Sequence, residues 1–415
     1  MPVFIWIFFF FLFPGLVFGI IPERRPDGIS EEFGWFVAPT PIAIEGVGSS
    51  IFFSGILSNF YQTSDLFATR SIPGGEFDFG AVVIDEVPLY TKHLLLTAGK
   101  YDNSVTVTLF ERGIDSKADD YILPFVHEKG DIFQAKLLFW EERLVFFYQL
   151  LNRDSTTERI YDKNGNILSS EPTNYQYKGS IFGAIFDFTD DPIDPRKGIR
   201  LGHKMRPVKA GFQFQSDIRV NDTNLTGYLP LFGADTLVFN FYTSLSSVIR
   251  QGITDEATAR MINNQNCAMA PDYNACKAGE DKLVADFIAY NKYGFTSMGG
   301  SNRLRAYPMS RFSAGNASYQ GIEYRYNFSA TPTKINWYVL GGLETLLQIA
   351  FFYEQGTVAE DISELYINLK PSYGVGFRAL ISGFVYRFDF AYGDEGFVPT
   401  IFIDYPMDLN PIAGN

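Results

Sequence analysis

Little in this sequence is spaced for catalysis. The three histidines, His93, His127 and His203, stand far apart, and none has a serine or carboxylate pattern around it. There is no Gly-x-Ser-x-Gly elbow, phosphate-binding glycine loop or metal-ligand spacing. A lipase-like site assembled only in space is the remaining enzymatic alternative; the expectation is a protein that is not an enzyme and uses no cofactor and no metal. The residue whose setting does suggest chemistry is Arg305. It sits in Gly299-Gly-Ser-Asn-Arg-Leu-Arg-Ala-Tyr307, where glycines and Asn302 read as a turn that brings backbone close to something else. After it, Ile322, Tyr324, Tyr326 and Phe328 share one face of a strand, and Glu323, Arg325 and Asn327 share the other. An arginine in such a place anchors rather than reacts. A buried guanidinium that loses its carboxylate costs about 3–5 kcal/mol.

The two cysteines, Cys267 and Cys276, lie in a segment that breaks the surrounding rhythm. Asp255 to Ile262 and Asp281 to Tyr290 read as helical, with Leu283, Phe287 and Ile288 on one face of the second. The cysteine spacing suits a local disulfide in an oxidising compartment. Two free thiols or a metal-binding pair are the alternatives, although no histidine lies nearby.

What must position these residues is a set of strands. The chain of 415 residues is 17% aromatic, with 41 Phe and 24 Tyr, yet its mean hydropathy is near zero. No internal segment is apolar and uncharged for the length of a membrane helix. Aromatic richness with moderate hydropathy suits a barrel whose outward and lumenal residues alternate and average out. The alternation is clearest in Phe212 to Asn221 and in Phe384 to Phe390, where Arg387 and Asp389 oppose the aromatics. The net charge of −13 excludes a nucleic-acid partner, which needs a basic surface. Asp154 to Tyr175, charged and containing Asn164-Gly165, reads as an exposed loop.

Met1 to Pro22 carries no charge. Ile5 to Phe13 is apolar, Pro14-Gly15 breaks it, and Val17-Phe-Gly19 offers a cleavage site. Residues 1–19 therefore read as a signal peptide, with a retained anchor as the alternative because the usual leading Lys or Arg is missing. The expected organisation is a short periplasmic lead-in at 20–45, a barrel at 46–407 with a long loop insertion at 250–298, and a tail at 408–415. At roughly ten residues per spanning strand, the barrel has room for about sixteen.

Against that frame of strands, Leu304-Arg305-Ala306-Tyr307 resembles the arginine-centred motif Leu/Val-Arg-Gly-Tyr/Phe of the BamA/TamA-type outer-membrane assembly factors, or bacterial surface antigens. Ala306 stands where the family has Gly. A second signature is similar to Asp187-Phe-Thr-Asp190-Asp191-Pro192-Ile-Asp-Pro195-Arg-Lys-Gly198, with Thr189 in place of Arg. The span from Gly299 to Ala391 matches best, through Ile322-Glu323-Tyr-Arg325, Phe351-Phe-Tyr-Glu354-Gln-Gly356 and Phe384-Val-Tyr-Arg387-Phe-Asp389. The resemblance implies an all-β transmembrane barrel of sixteen antiparallel strands. It also implies a long extracellular loop folded inward and pinned by Arg305 to Glu323 or Glu354. An ion pair accounts for those two glutamates more simply than an acid–base pair would.

Function divides into two expectations. In one, the barrel assembles or translocates outer-membrane proteins or lipids through a weak seam between its first and last strands, where Gly46, Gly48 and Gly55 loosen pairing. In the other it is a passive pore or structural surface barrel. Family members carry POTRA modules, which 20–45 is too short to hold. A separate periplasmic POTRA-like or chaperone partner is therefore expected, beside outer-membrane lipid, for a monomeric barrel exported to the bacterial outer membrane.

Overall fold

Side chains alternate faces along a strand. Here one set is aromatic or aliphatic and the other polar or charged. Closing such a sheet removes its edges and puts the polar face inside. The computed structural model, which describes residues 21–25, 32–61, 64–211, 213–264, 267–269, 273–381 and 384–407, is a barrel of this kind.

Nineteen strands share one antiparallel sheet. Three are short side-pieces, Leu109–Phe110, Ile167–Ser169 and Thr333–Trp337. The other sixteen form the wall in chain order. The first half comprises β1 (Gly34–Ile44), β2 (Gly48–Phe60), β3 (Ser64–Ser71), β4 (Asp78–Leu89), β5 (Thr91–Thr106), β6 (Tyr121–Phe139), β7 (Leu144–Asp162) and β8 (Thr173–Thr189). The second half comprises β9 (Gly198–Val208), β10 (Asp217–Pro230), β11 (Thr236–Arg250), β12 (Asn316–Asn327), β13 (Leu340–Ala359), β14 (Lys370–Ile381), β15 (Phe384–Gly393) and β16 (Gly396–Ile403). Phe351, Tyr353, Phe377 and Phe397 are exposed on the outer surface, whereas Glu323, Arg378 and Arg387 are buried on the inner one. Among the described residues no helix is long and apolar enough to cross a membrane.

Residues 251–315, between β11 and β12, carry the helices. Asp255 caps α1 (Glu256–Ile262) by accepting from the Thr258 amide at 2.9 Å. After α2 (Tyr273–Tyr293), a hairpin pairs Thr296–Met298 with Phe312–Ala314 and carries residues 299–311 at its tip. The principal core is this tip packed against the lumenal wall: Leu304, Ala306, Tyr307 and Phe312 against Tyr319, Phe352 and Val358.

Several expectations are corrected. The wall begins at Gly34, inside the segment read as a lead-in, because Pro39 and Pro41 fall on an edge where a missing N–H is tolerated. Gly46 and Gly48 serve the β1–β2 turn with φ of 82° and 121°, and the β1–β2 ladder runs unbroken past Gly55. The inserted loop runs on past 298 to Gly315. Most of Asp154 to Tyr175 is strand, since β7 and β8 pair out to Thr157↔Thr173. Charges on both faces are permitted where a hairpin meets water on both sides. Conversely, within the alternation read from Phe212 to Asn221, residues 213–215 are a turn and β10 begins only at Asp217. The signal-peptide reading at 1–19 and the tail at 408–415 lie outside the described residues.

Candidate functional site

The loop tip is built from backbone that few residues adopt. Gly299 and Gly300 have φ of 112° and 116°, and Leu304 is held at 53°, in the left-handed region that a branched side chain normally avoids. This bend aims Arg305 at the wall. Its Nε donates to Glu354 Oε1 at 2.9 Å and its own backbone N–H donates to Glu354 Oε2, also at 2.9 Å. Nη2 lies 3.2 Å from Glu323 Oε2 and Nη1 lies 3.4 Å from Asp389 Oδ2. The guanidinium carbon sits 3.4 Å from the centre of the Phe352 ring, on whose face a cation is stabilised.

The Arg305 side chain meets three strands of the wall. Glu323 projects from β12, Glu354 and Phe352 from β13, and Asp389 from β15. Glu323 also receives Arg325 Nε at 2.8 Å and both terminal nitrogens of Arg378, at 2.8 and 2.5 Å. Arg387 pairs with Asp389 and donates to Ser301 O at 2.6 Å and Asn302 Oδ1 at 3.1 Å. Tyr319 and Ser372 complete Glu354, with hydroxyls at 2.9 and 3.1 Å. All seven charged side chains are buried, four guanidiniums against three carboxylates. Burial in a low dielectric makes such a network strong when complete and costly when one member is missing.

The neighbouring motif residues lock the tip in place. Ala306 N donates to Ser372 Oγ at 3.1 Å, and Tyr307 donates to Pro371 O at 3.0 Å. The Ala306 methyl faces Gly393, where a Cβ would come within 2.9 Å of it. The wall therefore supplies a glycine opposite the alanine.

The second motif forms the β8–β9 turn, at the opposite end of the barrel from the long loop's roots. Asp190 Oδ1 accepts from the Arg196 and Lys197 amides, each at 2.9 Å, and Asp191 Oδ1 from the Ile193 and Asp194 amides. Pro192 and Pro195 shape the bend, and Gly198 closes it with φ of 113°, where a Cβ would come within 2.1 Å of Phe188 O. Asp187 meets Arg200 at 3.1 Å and Arg24 at 3.5 Å. Arg25 spans Asp190, Asp191 and Asp194 at 3.8, 3.1 and 3.4 Å. Segment 21–25 thus docks on this turn through Arg24 and Arg25. A disulfide joins Cys267, in the short turn that follows α1, to Cys276 in the first turn of α2. Among the described residues no group of carboxylate, histidine and cysteine side chains could hold a metal.

Sequence reasoning did not name Asp389, Arg378, Arg387 or Arg325 as partners in this cluster. Alternation had already put Arg325, Arg387 and Asp389 on inward faces; the missing information was which strands face the loop tip.

The fold and this inserted arginine define a sixteen-stranded barrel closed internally by its own loop, a class found among bacterial outer-membrane proteins. The chain is similar in structure to CdiB from Escherichia coli, with a TM-score of 0.50 and 8% identity over 89% of this chain and 62% of that one. It is also similar to BamA from Haemophilus ducreyi lacking POTRA domains 1–3, with a TM-score of 0.48 and 12% identity over 91% of this chain and 71% of that one. For CdiB from Acinetobacter baumannii the TM-score is 0.46 at 10% identity, over 89% of this chain and 59% of that one. At these identities the likeness is one of fold. No protein-family model and no curated protein matches the sequence.

Proposed function

We propose that the chain is a bacterial outer-membrane barrel that assembles or translocates proteins or lipids through its β1–β16 seam, without enzymatic chemistry. The observation that carries this reading is the seam itself. β1 pairs with β2 through eleven consecutive residues, and β15 with β16 through eight, but β1 meets β16 only at Ala43↔Ile401. The cause lies in the sequence. The β1 groups that point away from β2 belong to Val37, Pro39, Pro41 and Ala43, and the two prolines have no N–H to give. Val37 N donates instead to Val339 O at 2.8 Å, and Pro41 O accepts from the Tyr386 hydroxyl at 2.6 Å. β1 is thus held at its two ends and is poor in donors between them. A strand edge so lightly paired is the natural place for another strand to add.

In this reading outer-membrane lipid surrounds the wall, the β8–β9 turn and the docked segment 21–25 face the periplasm, and a separate periplasmic module presents the client. The lumen filled by the Arg305 cluster does not favour a passive pore. The test is insertion of a reporter barrel into liposomes that contain the purified protein. Ala43→Cys and Ile401→Cys lock the seam in a background where Cys267 and Cys276 are serine. The open protein is expected to accelerate insertion over empty liposomes, and the locked form to lose that acceleration until reduced. Equal rates with the seam locked and open would remove the seam from the mechanism.

A further inference from the structure

The chain runs on past the last wall strand. β16 stops at Ile403, and Asp404, with φ of 147°, donates its N–H to Val385 O at 2.8 Å and turns the chain off the wall. Tyr405, Pro406 and Met407 then lie inside the barrel, all buried. The Tyr405 ring lies 4.5 Å from the Arg325 guanidinium and 5.6 Å from that of Arg378, two of the three arginines that hold Glu323. Its hydroxyl reaches Asp194 at 3.5 Å, the carboxylate that also takes Arg25. Two residues on, the Met407 N–H donates to Asn302 O at 3.1 Å, on the inserted tip. Met407 O accepts from Arg303 at 3.2 Å and from Asn240 at 3.3 Å. Its side chain packs with Leu304, Tyr307 and Tyr319, and Gly321 leaves it room: a Cβ there would come within 2.9 Å of the Met407 methyl.

These contacts form one continuous line from the docked segment at Arg25, through Asp194 and Tyr405, to the loop tip at Asn302 and Arg303. We propose that residues 404–407 are a lumenal latch, which holds the inserted loop from the turn end of the barrel and closes the pore there. The loop leaves the lumen only when the latch withdraws. Arg305 fastens the tip to the wall, and the latch fastens its backbone from below. Asp194 is shared between Arg25 and, at 2.8 Å, Arg196 of the same turn, so displacement of segment 21–25 from the β8–β9 turn removes one of its two cations and loosens Tyr405. This device concerns the lumen alone and stands whatever the seam handles.

The test is single-channel conductance of the purified full chain in planar bilayers, with heat-modifiable mobility on gels as the check of folding. Tyr405→Ala with Met407→Gly is expected to raise the mean conductance severalfold over wild type. A second arm carries Arg305→Ala together with Asn302→Cys and Met407→Cys, bridged by a short bis-maleimide. There the bridged form is expected to stay at the wild-type floor while the unbridged form conducts. The proposal is overturned if the folded latch variant conducts like wild type, if the bridge does not form, or if bridged and unbridged Arg305→Ala conduct alike. Because the bridge leaves the wall intact, this arm decides the matter even where the latch variant does not fold.

Discussion

Glu323 is the residue on which the lumenal cluster turns. It faces Arg305, Arg325 and Arg378 at once, whereas Glu354 faces a single guanidinium with help from Tyr319 and Ser372. Glu323→Gln therefore takes the carboxylate partner from Arg325 and Arg378 and one of three from Arg305, whereas Glu354→Gln takes only one of the three from Arg305. A loss of about 3–5 kcal/mol is expected for Glu323→Gln, and a smaller loss for Glu354→Gln, in urea unfolding in detergent or lipid. Equal losses would show that the charges are satisfied by water instead. A double-mutant cycle between Arg305→Ala and Glu354→Gln is expected to show coupling of about 0.5–3 kcal/mol, and strict additivity would mean the two do not interact. Sterics give a separate check. Gly393→Ala puts a methyl within 2.9 Å of the Ala306 methyl and 3.0 Å of Pro371 O. That overpacking costs about 1–3 kcal/mol, and Ala306→Gly in the same chain is expected to recover part of it.

The two elements with the most consequence, β1 and α2, are held by different means. β1 lacks donors at Pro39 and Pro41, so Pro41→Ala offers the seam a new N–H opposite the end of β16. Slower amide exchange at Ala43 and Ile403 is expected; unchanged exchange would mean that something other than proline limits the pairing. In α2, Lys282 is held by Asp120 and lies 3.3 Å from Glu111, both outside the lumen. The hydrogen bond from Lys282 holds the Asp120 carboxyl below its ordinary range. A lowered carboxylate contributes above its unfolded pKa of about 3.9 and loses that contribution as the pH falls through the folded value. Docking of α2 is thus expected to be constant from neutral pH down to about pH 5 and to loosen below about pH 4, read by hydrogen exchange along α2. How far the elements were legible follows from the same physics. β12 was readable because one face meets charge and the other does not, a contrast that repeats every second residue. β1 was not, because two prolines argue against a strand unless its edge is known to lie on a seam. The ends of β7 and β8 were missed since water on both sides erases the alternation. The turn before β10 was over-read because Phe214 and its neighbours alternate by chance.

At the scale of the whole molecule, the sequence placed Arg305 in an inward loop and Glu323 and Glu354 on the receiving wall by resemblance. Asp389, 84 residues away along the chain, became a partner only through closure of the barrel. Closure also decides what the lumen can pass. The tip of the long loop enters from one end, the segment after β16 enters from the other, and Tyr319, Tyr405 and Met407 fill the space where they meet. An unmodified barrel so filled is expected to show small, fluctuating conductance. Arg305→Ala removes three carboxylate contacts and the stacking on Phe352 but leaves Arg303, Arg311 and the Met407 backbone contact in place. Its openings are therefore expected to be larger and more frequent than those of the wild type, yet still to close, since the remaining ties return the tip to the lumen. A large and steady conductance in the wild type, indifferent to Arg305→Ala, would instead mean an open channel running beside the loop. The lumen would then be a passage rather than a plugged core, and the passive-pore reading would take precedence over the seam.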